Sequence, residues 1–524
     1  MTHAVRFTGG SIFTGERFVE AILVEDGLVR AVGSEAAIRR DAPTGADTVE
    51  LHGRLAIPGL VDAHLHVPDL TQAREGLDLS TARSTPEVLE RVRRWAEAHP
   101  QGPIVGRGWS PDRTEDRRWL TARDLDGAVD ARPVVVYHAS GHAAVANTAA
   151  FAALGLGPRS PDPAGGRLDR APDGTPSGPV FESALRLLTP VSWATPPDPE
   201  GFVRTLRAAA RLGLTTVATL NLSPEGVAAF RALAARRALP IRVRAYVQLA
   251  RFREFPDSLL GPVPGAESWA VVGGKGFTDG AFGPRTAWLR SAYEDDPTSD
   301  GLPVASEPEL REAIAWGSDH GLAPALHAIG DRAVERAARL LEPYRVPGGR
   351  RPRIEHASLA PPELFPALER ARPALVVQPG FVWSDHWLSE RLGPARTRWA
   401  YPFRTLTDHG FLLAGSSDAP YDPLDPWRGL AAAVHRTDPD GRSANPASEE
   451  ALTAEEALRL YGRNAGLVLG EEPLGTLEVG APGDVVLLRA VSAAAAVEDG
   501  AGGVVGTWRG GARIADDDPP RQSA

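Results

Sequence analysis

Residues 59–67 read GLVDAHLHV, an apolar run that ends in two histidines separated by one leucine. Side chains at i and i+2 of a strand share one face, so His64 and His66 would leave the end of such a strand in the same direction. Two neutral imidazoles converging on one point suit a Zn²⁺-like ion. The same spacing also arises from packing or surface chemistry, so what surrounds it decides.

Seven further apolar runs follow: LTTVATL (214–220), IRVRAYVQL (241–249), AVVGGKGF (270–277), APALHAIG (323–330), PRIEHASL (352–359), ALVVQPGF (374–381) and FLLAGSSDAP (411–420). Helical stretches rich in Ala, Leu, Arg and Glu lie between them, such as DRAVERAARLLEPY (331–344) and PELFPALERAR (362–372). Short buried strands alternating with helices specify a parallel α/β fold. Eight units predict a closed (β/α)₈ TIM-type barrel over residues 58–469, with an open doubly wound sheet as the competitor. The first two runs are separated from Pro68 to Gly213, far beyond an ordinary connection, so an inserted subdomain is expected over 68–205. It contains PVVVYHASGHAAVAN (133–147), which reads as a strand. Both chain ends read as short strands with glycine-rich turns: AVRFTGGSIFTG (4–15), FVEAILVEDGLVRAVG (18–33) and TVELHGRLAIPG (48–59), then GTLEVGAPGDVVLLRA (475–490) and GVVGTWRGGARIA (503–515). The tail after Ala515 is expected to fray.

With 524 residues, the chain is too long for one ordinary core. Its net charge of -10 argues against nucleic acid as the main partner. There is no cysteine, which removes disulfides, thiolate metal sites and cysteine nucleophiles. No run is apolar for long enough to cross a bilayer, and MTHAVRFTGG lacks the pattern of a signal peptide, so a soluble, cytoplasmic protein without membrane partners is expected.

His327, His356 and Asp418 each fall at the end of one of the apolar runs, where barrel enzymes place their catalytic groups. Taken singly, each has a bland explanation in a hydrogen-bonded histidine or a helix cap. Four strand ends behaving alike, with His64 and His66, favour a metal site. Lys275 sits in a glycine-rich apolar run where a cation is expensive to bury. Three readings stand: an ion pair with a carboxylate such as Asp279, a carbamate bridging two metal ions, or an ammonium facing the substrate. Arg285 is a candidate for a substrate carboxylate or carbonyl, or for an ion pair with Asp279 or a neighbour. Asp331 reads as a helix N-cap. Trp109 and Trp383 are candidates for an apolar pocket wall.

The motifs GLVDAHLH, KGFTDGAFGPRTA (275–287), HAIGDRAV (327–334), RIEHASL (353–359) and GSSDAP (415–420) resemble the amidohydrolase superfamily, in its YtcJ-like branch with N-substituted formamide deformylase-like enzymes. The resemblance runs along nearly the whole chain. It implies a small β-sandwich from both ends (1–57 and 470–524), and matches IVGRGW (104–109) and SGHAAVAN (140–147) to the family's inserted segment. It matches YPFRTL (401–406), DPLDPWRGL (422–430) and LTAEEALRLYGRNAG (452–466) to the late barrel and its closing helices. It implies His64 and His66 on a buried metal, His327 and His356 on a second, Lys275 as a bridging N6-carboxylated lysine, and Asp418 as ligand and proton carrier. The implied cofactor is a divalent metal, zinc first, as one or two ions. The implied activity is hydrolysis of an amide, N-formyl or N-acyl C–N bond in a small molecule, with a homodimer admitted as the assembly. A deaminase or cyclic-amide hydrolase on the same barrel is the alternative, and a catalytically silent metal-stabilised binding protein the third reading. One departure concerns Ser140-Gly141-His142, where the family commonly has Asp-Gly-His. His142 and Asn147 are the candidates for substrate contact there, with Asp279, Arg285 and Trp109 as further members of the substrate wall.

Overall fold

The computed structural model describes residues 3–193, 198–344 and 350–516, so the tail beyond Asp516 lies outside the described residues. Its centre is a parallel eight-stranded sheet of β1 (Leu60–Leu65), β2 (Leu214–Leu222), β3 (Arg242–Gln248), β4 (Trp269–Phe277), β5 (Ala323–Ala328), β6 (Arg353–His356), β7 (Ala374–Val377) and β8 (Leu413–Gly415). Each strand pairs with its predecessor in chain order. The eight apolar runs are these strands, and the sheet curls rather than staying open. At the seam, Asp418 N–H donates to the His64 carbonyl and His66 N–H to the Ala419 carbonyl, each at 2.8 Å. Lower down, Tyr461 wedges between the two edge strands. Its carbonyl accepts from Val61 N–H at 2.6 Å and its hydroxyl donates to the Ser416 carbonyl at 3.0 Å. The barrel is thus nearly closed, its edge strands bridged by backbone at the mouth and by Tyr461 beneath.

Two runs are shorter as strands than their apolar stretches suggest. In the 411–420 run the ladder stops at Gly415 because the Ser417 N–H turns to the Asp62 carboxylate, with both oxygens at 3.2 Å. In the 374–381 run it stops at Val377, where Gln378 turns its side-chain amide to the Ser416 hydroxyl at 2.9 Å.

Residues between β1 and β2 build a second sheet, in the order Gly166–Arg170, Pro176–Glu182, Ala143–Ala146, Val134–His138, Ile104–Trp109, Leu77–Asp78. The segment 133–147, read as one strand, is a hairpin: Val134–His138 and Ala143–Ala146 pair antiparallel around residues 139–142. Gly141, with φ of +72°, makes that reversal, a backbone region that favours glycine. A Cβ there would lie 2.2 Å from the Tyr421 ring, so the tip docks tightly on the barrel mouth. The chain ends meet in two sheets. One runs Leu28–Gly33, Ala21–Glu25, Ala4–Thr8, Asp47–Glu50; the other joins Leu55–Pro58 and Ser11–Phe13 to Val485–Leu488, Val504–Arg509 and Ala512–Asp516. Phe7 and Trp508 pack edge to face between them at 5.6 Å.

Candidate metal centre and substrate cavity

The barrel mouth brings together the strand-end residues of β1, β6 and β8. His64, His356 and Asp418 each offer one ligand atom, and these atoms lie within 4.8 Å of one another. The protons in this cluster can be placed from the hydrogen bonds around it. His64 Nδ1 is 2.6 Å from Glu355 Oε2, and a carboxylate only accepts, so the ring proton is on Nδ1. The Nε2 lone pair then faces His66 Nε2 at 3.3 Å and Asp418 Oδ1 at 3.2 Å. His356 Nδ1 donates to Gln378 Oε1 at 2.7 Å, and Gln378 is held in that orientation by its own amide donating to Ser416. His356 Nε2 is therefore a lone pair as well, and both it and Asp418 Oδ1 are buried without a hydrogen-bond partner. Orphaned buried acceptors cost ~1–3 kcal/mol each. Several pointing at one place form an environment suited to a cation, and the His-His-Asp donor set fits a divalent metal. His356 and Asp418 also have φ of +76° and +58°, strained values for residues with a Cβ, which cluster at functional sites.

Behind the cluster stands a support that sequence reasoning missed. Glu355 takes a bidentate pair from Arg353 (2.7 and 2.8 Å) as well as the His64 proton, and Arg353 also donates to the Ala63 carbonyl at 2.7 Å. The Arg353 guanidinium lies over the Tyr246 ring at 4.4 Å. Burial works against the Glu355 charge, but Arg353 and His64 outweigh it and hold the carboxyl below its usual range. A carboxylate that fixes the tautomer of a ligating histidine is a recurrent arrangement in metal sites. Asp62 pins the seam by accepting from the His64 N–H at 3.1 Å and from Ser417. The signal for both was present. Asp62 shares the parity of His64 and His66, and Arg353 and Glu355 are charges two apart in a four-residue run that is buried throughout.

Lys275, on β4, is 1% exposed. Burial lowers its pKa to about 8 despite the nearby carboxylates of Glu355 and Asp418. Its ammonium lies over the Phe277 ring at 5.1 Å. His327 donates Nε2–H to the Gly280 carbonyl at 2.9 Å, which leaves its lone pair on Nδ1. Its ring is 4.5 Å from that of His356 and 4.7 Å from that of His142. His142, at the hairpin tip, is held by Glu182 Oε2 at 2.8 Å, and Glu182 accepts from Thr286 Oγ at 2.5 Å. Burial opposes a charge on His142, yet Glu182 beside it raises the pKa. A carboxylate distant in sequence thus supports His142, beside a Ser140 that has none. Between barrel mouth and hairpin lies a cavity lined by His142, His327, His356 and Asp418 together with residues of the inserted sheet.

Other candidates fall elsewhere. Asn147 is fully buried and caps the helix Thr148–Ala153. It accepts from Val134 and Ala150 N–H at 2.9 Å and donates to the Val129 and Arg132 carbonyls, so no hydrogen-bonding group is left for a substrate. Trp109 packs behind the cavity wall, edge-on to His138 at 6.1 Å, and does not line the cavity. Trp383 does not line it either; it lies under the Arg428 guanidinium at 5.2 Å. Arg285 forms its ion pair with a neighbour, Asp295, at 2.7 and 3.1 Å rather than with Asp279. Asp279 is a buried clamp that accepts from the N–H groups of Trp288, Ile329 and Gly330, 3.5 Å from His327 Nε2. Burial raises its carboxyl to about 7 against those bonds. Asp331 is not an N-cap. Gly330 holds that position, and Asp331 accepts from Arg290 N–H at 2.9 Å.

An α/β barrel with a buried His-His-Asp cluster at its mouth is the architecture of a metal-dependent hydrolase. Residues 47–515 match the amidohydrolase family, and the chain belongs to it. The Bacillus subtilis (strain 168) protein YtcJ is 33% identical, over 92% of this chain and 93% of its own. The N-substituted formamide deformylase of Arthrobacter pascens is 27% identical over 90% of each. Among solved structures, a metal-dependent hydrolase from Pyrococcus horikoshii OT3 aligns with a TM-score of 0.74 at 29% identity, covering 92% of this chain and 96% of that one.

Proposed function

We propose that this protein hydrolyses a C–N bond, amide, N-formyl or N-acyl, in a small molecule, at a divalent metal centre held by His64, His66, His327, His356, Asp418 and Lys275. The observation that carries this reading is the convergence of unprotonated His64 Nε2, His356 Nε2 and Asp418 Oδ1, two of them without hydrogen-bond partners. The likeness to the Arthrobacter deformylase supports the N-formyl or N-acyl choice. Zinc is the first ion to test, as one or two per chain. Lys275 would be the N6-carboxylated ligand: a buried amine with a pKa of about 8 keeps a neutral fraction near pH 7, and the neutral amine is the form that adds to CO₂, releasing a proton to leave a carbamate. In this reading residues 1–57 with 470–524 form the sandwich domain and 58–469 the hydrolase barrel, with 68–205 inserted.

Bound there, a divalent ion lowers the pKa of water toward ~7 and polarises a carbonyl. The residues do the rest. Asp418 takes the proton from the attacking water as the C–O bond forms. It returns that proton to the leaving nitrogen as the C–N bond breaks. Glu355 keeps His64 in the tautomer that presents Nε2, and Gln378 does the same for His356. His142, held by Glu182, lies against His327 where it can donate to the substrate carbonyl.

The test combines elemental analysis of the protein as purified with release of formate or amine from a panel of N-formyl and N-acyl amides. The expected result is one or two equivalents of metal, lost in His64→Ala, and turnover lost with it. No metal even after zinc is supplied, or turnover that is independent of it, overturns the reading.

A further inference from the structure

The wall that the inserted sheet gives the cavity carries donors with nothing to accept from them. His138, at the end of the strand Val134–His138, is 4% exposed and lines the cavity. The Ser140 backbone N–H donates to its Nδ1 at 3.0 Å, which places the ring proton on Nε2. That Nε2 is buried without a hydrogen-bond partner. Burial, with the cations Arg113 and His142 near it, holds the imidazole neutral with a pKa of about 3. Trp119 stacks on the ring at 5.5 Å. Gly283 packs against it: a Cβ there would meet His138 Cε1 at 2.9 Å and lie 3.6 Å from Nε2, so any side chain at 283 would crowd this edge.

Arg113 is the second donor. It ends the turn Pro111–Arg113, is half-buried, and lines the same cavity. Among the described residues its guanidinium has no hydrogen bond and no ion pair. The acids around it form no ion pair with it, although against the burial that raises the carboxyls of Asp385 and Asp422 its charge pulls both down. Asp112 binds Arg391 at 2.6 Å, Asp385 accepts from the Tyr401 hydroxyl at 2.5 Å, and Asp422 accepts from the Ser384 hydroxyl at 2.5 Å. An unpaired guanidinium beside an orphaned N–H is a site for an anion with two acceptor oxygens.

We propose that the substrate carries a carboxylate remote from the bond that is cleaved, and that Arg113 and His138 Nε2–H receive it on the inserted-sheet wall. This rests on the reading of the cavity as the substrate site. It restricts the substrate class to acidic amides, of the N-acyl amino acid type.

The test is isothermal titration of the protein as purified with phenylacetate and with phenylacetamide, two probes of the same shape that differ in charge. The acid should bind about tenfold tighter, a difference of about 1.4 kcal/mol. Arg113→Gln should abolish that preference and Arg113→Lys restore part of it. Gly283→Ala, which crowds Nε2, should weaken the acid more than the amide. His356→Ala, which damages the metal cluster, should leave the preference intact. Equal binding of the two probes overturns the proposal. So does a preference that survives Arg113→Gln and vanishes in His356→Ala, since the carboxylate would then be on the metal cluster. If Arg113→Gln melts early, the Gly283→Ala comparison decides alone. Turnover is not read, so failure here is separate from failure of the hydrolase reading.

Discussion

The two walls of the cavity are built on opposite principles. On the barrel side, the two histidines with unprotonated Nε2 have dedicated partners behind them: His64 rests on Glu355, Glu355 on Arg353, His356 on Gln378, and the seam on Asp62. What faces the cavity there is acceptors. On the inserted-sheet side, His138 and Arg113 face the cavity as donors without partners. The barrel wall is thus preorganised around a cation, whereas the other wall suits a negatively charged group. In the proposed function the chemistry and the selectivity of one cavity come from separate parts of the chain, which lets either change while the other is kept.

The comparison breaks first at Asp418. Asp418→Asn keeps the size and one acceptor oxygen but cannot take a proton at neutral pH. Turnover on an amide substrate should fall by about 10²–10⁴-fold while most of the metal remains, read by kcat and elemental analysis together. Near-normal kcat would take proton transfer away from this wall.

Glu355→Gln is the next largest. It should weaken metal binding by roughly 10–100-fold, because a neutral amide accepts the His64 proton more weakly than a carboxylate and can turn its NH₂ to Nδ1 instead. It also leaves Arg353 buried without its charge partner, at a cost of about 3–5 kcal/mol. Competition against a chelator and thermal melting measure the two parts. A variant with full metal affinity would show that the support behind the barrel wall is packing alone.

Removing metal from the intact protein should lower its Tm, because an ion bound only to the folded state contributes about 2.7 kcal/mol at a hundredfold excess over Kd. His64→Ala should melt at the same temperature with and without chelator. A chelator effect retained in that variant would place the ion elsewhere.

The smallest effect sharpens the other wall. Asn147→Ala removes a helix cap and three further hydrogen bonds to backbone, so it should cost at least ~1–2 kcal/mol of stability and leave KM unchanged. A raised KM with an unchanged Tm would return Asn147 to the substrate wall, where the sequence placed it.

Much of the barrel wall was legible before any tertiary contact was known. The period of a strand puts His64 and His66 on one face, and the ends of buried strands put His327, His356 and Asp418 at one mouth. Gln378 carried the same mark, a polar residue ending an apolar run, and Asp62 the same parity as the histidines. The inserted wall was not legible in this way. Asn147 and Trp109 looked like site residues because they adjoin a motif, yet one caps a helix and the other packs in a core.

What the sequence by itself determined is therefore whatever local backbone geometry dictates: eight strands, the residues at their ends, and a long insertion after the first. Those follow from periods of a few residues, which short segments impose on themselves. The tertiary structure alone decided the pairings. Glu355 reaches His64 across 291 positions, Glu182 reaches His142 across 40, and Tyr461 fills the seam. Such contacts depend on how the barrel closes and where the hairpin docks, and no local pattern records that. The same closure leaves His138 and Arg113 without acceptors, a property neither residue has until the walls of the cavity are in place.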